Sequence, residues 1–287
     1  MRYATVDFFH DSYPIEVLCA ALSVSHSGYN QWRKRSPSQR QRANEQLLAR
    51  IRRIHAQSRC VYGSPRIHQE LKKQGMCVGK ERIRKLMQAH HIVGRSPARS
   101  CRTTDSEHAQ PIVANLLEQN FQCHTPDTVW LADITYVATA EGFLYVAAMK
   151  DLCTRKIVGC SMSHRMDTAL VIDALHMAID RQAPGGALIV HSDRGAQYAS
   201  HEFRGTLLQH RMRQSMSGLG NCYDNAPMES FFSSLKTEGL QQQRFSTKNQ
   251  ARVAIFDYIE GFYNPVRLHS GIGYNSPNQY EAMLKAA

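Results

Sequence analysis

With 287 residues, 43% of them hydrophobic and 21% charged, the chain has an ordinary globular composition, with room for about two domains and a sizeable core. No apolar run approaches the ~18 residues of a membrane span, and Pro14 and Glu16 interrupt the only stretch that could act as a leader, so a cytoplasmic address is expected. The net charge of +11 is concentrated: residues 31–102 hold 19 Lys and Arg against Glu45, Glu70 and Glu81, while both flanks are slightly acidic. Such a basic block is the footprint of a phosphate backbone, against the plainer reading of a solvated helical face.

The first predicted elements are two short helices over residues 14–35. Ile15, Val17, Leu18, Ala21 and Leu22 make the stripe of the first, and Ser25 caps a second that runs through Trp32. This pair reads equally as a helix-turn-helix or as a plain hairpin. One long helix follows over 38–58. Ser64 then caps a helix whose first position is Pro65 and which is anchored by Ile67 and Leu71 and ended by Gly75. Val78-Gly79 turns into a helix whose Ile83, Leu86 and Met87 face inward while Lys80, Arg82, Arg84 and Lys85 lie outside. This second pair is the better helix-turn-helix, basic where a groove-lying helix should be.

Residues 94–127 read as a polar, basic linker, with a short helix at Asn115–Phe121. Beyond it the texture changes. Strands are expected at Val129–Ala138, Phe143–Lys150 and Lys156–Ser163, as an antiparallel meander around the Glu141-Gly142 turn. A helix at Thr168–Gln182, a short buried strand at Leu188–His191, a helix at Ser200–His210 and a strand at Met212–Met216 follow. Gly218, Gly220 and Asn221 make a flexible connection. Helices then run over Ala226–Leu240 and Lys248–Phe262, before an irregular stretch from Tyr263 to Pro277. Three strands, helix, strand, helix, strand, helix is the order of a ribonuclease H-like α/β core with a mixed five-stranded sheet, here behind an all-α region. The expected boundaries are a helical region at 1–60, a basic helix-turn-helix-like domain at 61–93, a linker at 94–125, the catalytic core at 126–245, and a helix and tail at 246–287. Eight cysteines show neither Cys-x-x-Cys pairs nor zinc-finger spacing, so they read as reduced thiols.

Three acids stand at the joints of this core. Asp133 lies inside an apolar, β-branched run, Asp193 closes Ala187-Leu-Ile-Val190 and its following His-Ser, and Glu229 opens a helix. Each alone has a structural reading: a satisfied core carboxylate, a turn residue beside Arg194, and an acid suited to a helix N-terminus. Together they are a cluster that repels itself unless cations sit in it. Met228, Phe231, Phe232 and Leu235 form the core face of the last helix, and Glu229, Ser233 and Lys236 share a polar face that suits a phosphate.

The three acids, the 35 residues between Asp193 and Glu229, and Lys236 seven positions after Glu229 resemble the pattern of DDE transposases and retroviral-type integrases. Trp130-Leu-Ala-Asp-Ile-Thr-Tyr136, His191-Ser-Asp-Arg-Gly-Ala-Gln-Tyr198, Gly220–Lys236 and Tyr263-Asn-Pro-Val-Arg-Leu-His-Ser270 are similar to the second-frame product of insertion-sequence-three family transposases. So are Tyr62-Gly-Ser-Pro-Arg-Ile-His68 and Val24–Trp32 upstream. The resemblance covers nearly the whole chain, departing at Ser217-Gly-Leu219, where such proteins carry basic residues, and at Ala196 in place of a Ser.

It implies metal-dependent cleavage and strand transfer of bacterial insertion-sequence DNA at Asp133, Asp193 and Glu229. These would hold two Mg²⁺ ions, with Mn²⁺ able to substitute, roughly 3.5–4 Å apart. Lys236, Arg194, Arg66, Lys80, Arg82, Arg84 and Lys85 would contact DNA. The implied partners are double-stranded DNA, further copies of the chain assembled on it, and the upstream first-frame product. The implied address is the bacterial nucleoid. Two other readings stay open: a DNA-binding regulator of transposition with an inactive core, and a ribonuclease H-type nuclease.

Overall fold

The computed structural model describes residues 2–95, 112–218, 222–241 and 243–286. Residues 96–111, half of the expected linker, and residues 219–221 of the expected flexible connection lie outside this range. The chain divides into two compact units, Met1–Arg53 and Ile54–Ala287.

The first unit holds α1 (Arg2–Phe9), α2 (Ile15–Ala21), α3 (His26–Lys34) and most of α4 (Gln39–Gln57). Buried Val6, Cys19 and Tyr29 form its small core, packed by Ile15, Leu18 and Leu22. Ser25 caps α3 as expected, its hydroxyl accepting from the Gly28 N–H at 3.0 Å. The helix α1 has no counterpart in the sequence reading: one inward Val6 gives too little periodicity to announce it.

In the second unit, α5 (Ser64–Lys73) and α6 (Lys80–Ala89) form the basic hairpin. The N-cap is Gly63 and not Ser64, which is already helical. Ile67, Leu71, Ile83 and Met87 are buried between the helices, and Lys80, Arg82, Arg84 and Lys85 are exposed. No helix forms at Asn115–Phe121. The Asn115 Oδ1 accepts from the N–H groups of Leu117 and Glu118, and Glu118 and Gln119 then turn left-handed, which closes a turn and blocks propagation.

The sheet is β1 (Val129–Thr139), β2 (Gly142–Asp151), β3 (Ile157–Ser163), β4 (Ile189–Ser192) and β5 (Arg213–Met216), in spatial order β3-β2-β1-β4-β5. The first three strands are antiparallel, and β4 and β5 run parallel to β1. Trp130, Ala132, Ala147, Met149 and Val158 face α7 (Thr168–Gln182), which buries Leu170, Val171, Ala174, Leu175 and Ala178 against them. The short α8 (Ala196–Ala199) and α9 (His201–Gln209) extend that layer. The other face, with Leu131, Val137, Leu144, Val146 and Ala148 buried, is covered by α10 (Ala226–Ser234) and α11 (Lys248–Tyr258). Burial on both faces explains why the strands read as apolar runs and not as alternating patterns.

Two predicted long helices change period part-way. The first becomes a π-helix at Leu235–Leu240 after α10, and the second at Ile259–Tyr263 after α11. In the first of these wider turns Thr237 and Glu238 are buried while Lys236 stays exposed. Gly239 is required by this packing, since a Cβ there would lie 2.9 Å from the Tyr258 ring. A final helix, α12 (Pro277–Ala286), closes the unit.

Candidate active site

Asp133 and Asp193 are brought level by strand register. β4 pairs with β1 at a constant offset, ending at Leu131 against His191, so two residues further on Asp133 stands beside Asp193 just past the end of β4. Each carboxylate is oriented locally: Asp133 Oδ1 accepts from the Ile134 N–H at 2.8 Å, and Asp193 Oδ1 from the Gly195 N–H at 3.0 Å. Burial pushes the Asp133 carboxyl well above its usual range. The charge of Asp193 pushes in the same direction, as does the more weakly felt charge of Glu229, while the Ile134 N–H and Lys236 oppose it. That self-repulsion is what a divalent cation relieves, and the all-oxygen donor set suits a hard ion.

Glu229 stands in the first turn of α10, exposed. Among the described residues no three carboxylate, imidazole or thiol groups lie close enough together to share one ion. The charges of both Asp193 and Glu229 are nevertheless felt at Asp133. The start of α10 is firmly placed. Asn225 Nδ2 donates to the Ala132 carbonyl at 3.0 Å, one residue from Asp133, and the buried Lys150 Nζ donates to the Pro227 carbonyl at 2.8 Å. Burial, aided by Arg155 and Arg267, holds the Lys150 amine well below its ordinary pKa, which fits a lysine anchored to a backbone carbonyl. Upstream, the buried Asp224 carboxylate accepts from Asn115 Nδ2, Gln119 Nε2 and the Gly218 N–H at 3.0, 3.0 and 2.7 Å.

Lys236 lies over the Tyr136 ring, its Nζ 5.3 Å from the centroid, close enough to Asp133 for their charges to interact. Arg194 Nε donates to the Ser217 carbonyl at 2.7 Å. On α6, Arg84 forks onto Glu81 at 2.8 and 2.7 Å. Arg66 is half-buried. Its Nε donates to the Leu268 carbonyl at 3.0 Å, and its Nη1 lies 3.8 Å from Glu238 Oε1.

Glu238 is the hub of a buried network invisible in the sequence. Arg267 grips it with two bonds, Nε to Oε2 at 2.6 Å and Nη2 to Oε1 at 2.7 Å, and the Tyr258 hydroxyl donates to Oε2 at 2.8 Å. Arg267 also donates to Ser234 Oγ at 3.1 Å. Burial alone would lower the Arg267 pKa, but the hydrogen bonds and charge of Glu238 outweigh it, so the guanidinium stays charged. Only the string Tyr263–Ser270 hinted at this region, without saying what it holds.

Residues 124–222 match the integrase core domain family, residues 229–284 match a second integrase core domain family, and residues 42–100 match an HTH-like domain. Among related sequences, the insertion element IS600 uncharacterized 31 kDa protein of Shigella sonnei is 43% identical over 91% of this chain and 96% of its own length. The transposase InsF for insertion sequence IS3A of Escherichia coli strain K12 is 36% identical over 98% of both. Among solved structures, the simian T-cell lymphotropic virus intasome in complex with PP2A regulatory subunit B56 gamma aligns with a TM-score of 0.46 at 16% identity, over 80% of this chain and 73% of that one. The HTLV-2 integrase catalytic core domain in complex with magnesium aligns at 0.43 and 15%, over 54% and 96%. An α/β core of mixed topology carrying a level pair of aspartates, joined to a basic helical hairpin and related along nearly its whole length to InsF, makes this chain a member of the insertion-sequence-three family of DDE transposases.

Proposed function

We propose that Asp133, Asp193 and Glu229 form the centre at which this transposase cuts an element end and joins it to target DNA, and that the centre works with Mg²⁺. The observation that carries this reading is the register-matched pair, Asp133 beside Asp193, with the Asp133 carboxyl raised by burial and by its neighbour's charge. Bound there, the divalent ions would supply Lewis acidity at the scissile phosphate and a water of lowered pKa. The chain's own residues do the rest. The N–H groups of Ile134 and Gly195 hold the two aspartates in place, and Glu229 completes the set from the α10 rim. Lys236, exposed beside Asp133, neutralises a phosphate next to the one under attack. Water attack breaks the P–O3′ bond and leaves a 3′-hydroxyl. That hydroxyl then attacks a second phosphodiester in line, releasing another 3′-oxygen.

DNA is held by the exposed Lys80, Arg82, Arg84 and Lys85 of α6, in an assembly of several copies on the element ends together with the upstream first-frame product. The decisive measurement uses labelled element ends, Mg²⁺ and the Asp193→Asn variant. Cleavage should fall below detection while gel-shift affinity stays within about threefold of wild type. Cleavage by a clean preparation of this variant overturns the three-carboxylate reading.

A further inference from the structure

The basic hairpin presents two arginine-bearing helices in opposite senses. On α6 the cations point to solvent, whereas the one arginine of α5, Arg66, points into the protein. Its Nε is bound to the Leu268 carbonyl, its guanidinium carbon lies 5.6 Å from the Tyr62 ring centroid, and its Nη1 is 3.8 Å from the buried carboxylate of Glu238. It does not act alone. The Tyr62 hydroxyl donates to the Val266 carbonyl and accepts from the Leu268 N–H, both at 2.9 Å, and Arg95 Nη1 donates to the Glu238 carbonyl at 2.6 Å. The hairpin is thereby fastened at both its ends to two places: the Val266–Leu268 strip and the residue Glu238.

Glu238 is two residues from Lys236 on the same π-helical turn, which continues directly from the helix bearing Glu229. Ser234, one turn earlier, is tied to the same network through Arg267. A π-turn has an alternative, the ordinary α register, in which the residues after Ser234 would present a different face. What holds the observed register here is the set of charged bonds that Glu238 can make only when it points inward.

We propose that Arg66 is a positioning residue of the catalytic centre and not a DNA contact. With Arg95 and Tyr62 it braces Glu238 and the Arg267 strip, so the hairpin that grips DNA and the turn that presents Lys236 move as one piece. This rests on the carboxylate-centre reading given above, and its test separates the two.

Arg66→Ala is the informative variant because Glu238 keeps its two bonds to Arg267, so the buried pair survives. Three quantities are measured on the full-length chain with duplex element ends: affinity as a function of salt, the cleavage rate at saturating DNA, and the thermal midpoint, with all rates taken well below that midpoint. Affinity and its salt slope should be unchanged, while the cleavage rate at saturation falls on the order of 10- to 100-fold, the scale of a misplaced catalytic group. A purely structural role would leave the rate of the folded molecules intact and overturns the proposal. A salt slope smaller by about 0.9 overturns it too, because that is the signature of one lost phosphate contact. A double-mutant cycle closes the test: if Arg66 acts through the Lys236 turn, adding Arg66→Ala to Lys236→Ala costs little more, whereas losses that multiply show independent roles and sink the idea. Asp193→Asn run alongside keeps the two readings apart. If that variant cleaves, the carboxylate centre is wrong; if it is dead and Arg66→Ala cleaves normally, only the brace is wrong.

Discussion

At the scale of single residues, the site's neighbourhood is tuned by burial more than by pairing. His191, fully buried next to the Asp193 turn, shows this without touching the chemistry. Its Nδ1 lies 2.8 Å from Ser215 Oγ and its Nε2 3.3 Å from Ser217 Oγ, both hydroxyls. Burial lowers its pKa from 6.5 to about 4, against a weaker opposing pull from Asp224. The unfolded chain therefore takes up the proton first as pH falls. The stability that neutral His191 contributes is complete above about pH 6.5 and is lost as pH drops through 4, a difference on the order of 3 kcal/mol. In urea titrations across that window, His191→Gln should lose less stability than wild type. Parallel slopes for the two proteins would show that His191 is not the group responsible.

At the scale of elements, the close approach of β3 and α7 makes a sharp prediction. A Cβ on Gly159 would lie 2.1 Å from the Ala174 carbonyl oxygen, so Gly159→Ala must push helix and sheet apart. It should destabilise by about 3 kcal/mol or more, the upper end for overpacking, seen as a lowered denaturation midpoint with an unchanged slope. An unchanged midpoint would mean that α7 is free to shift. Elements are also where the sequence was most and least legible. The strands and α7 were readable because β-branched and apolar runs of the right length leave few alternatives, and Asp133 stood out because it interrupts such a run. The π-turns were not, since Leu235–Leu240 keeps a passable α-helical pattern and the contacts made in the wider register, of Gly239 with Tyr258 and of Glu238 with Arg267, come from residues distant in the chain. Lys150 and Asn225 were missed for the same reason: the carbonyls they hold, Pro227 and Ala132, are 77 and 93 residues away in the chain. The inward contacts of Arg66 were not legible because a basic helix carries no mark that distinguishes an inward cation from an outward one.

At the scale of the molecule, residues 54–95 belong with the catalytic core in one compact unit. Arg59 forks onto Asp257, with Nη2 to Oδ1 at 3.0 Å, and this exposed pair adds a lesser tie beside those of Tyr62, Arg66 and Arg95. An excised fragment of residues 1–105 should lose these anchors and melt broadly, without the cooperative transition of the intact chain, by circular dichroism. A sharp transition in the fragment would show that the hairpin stands alone. The brace around Glu238 also has a consequence in the order of synthesis. Asp133, Asp193 and Glu229 all leave the ribosome before Tyr258 and Arg267, the last of them 38 positions earlier than Arg267. A chain halted between those points owns every acid of the centre and the whole basic hairpin, yet not the residues that set the Lys236 turn. Such a product also lacks the Val266–Leu268 strip that anchors the hairpin, so a stop codon late in the reading frame should weaken the hold on element ends as well as abolish cutting.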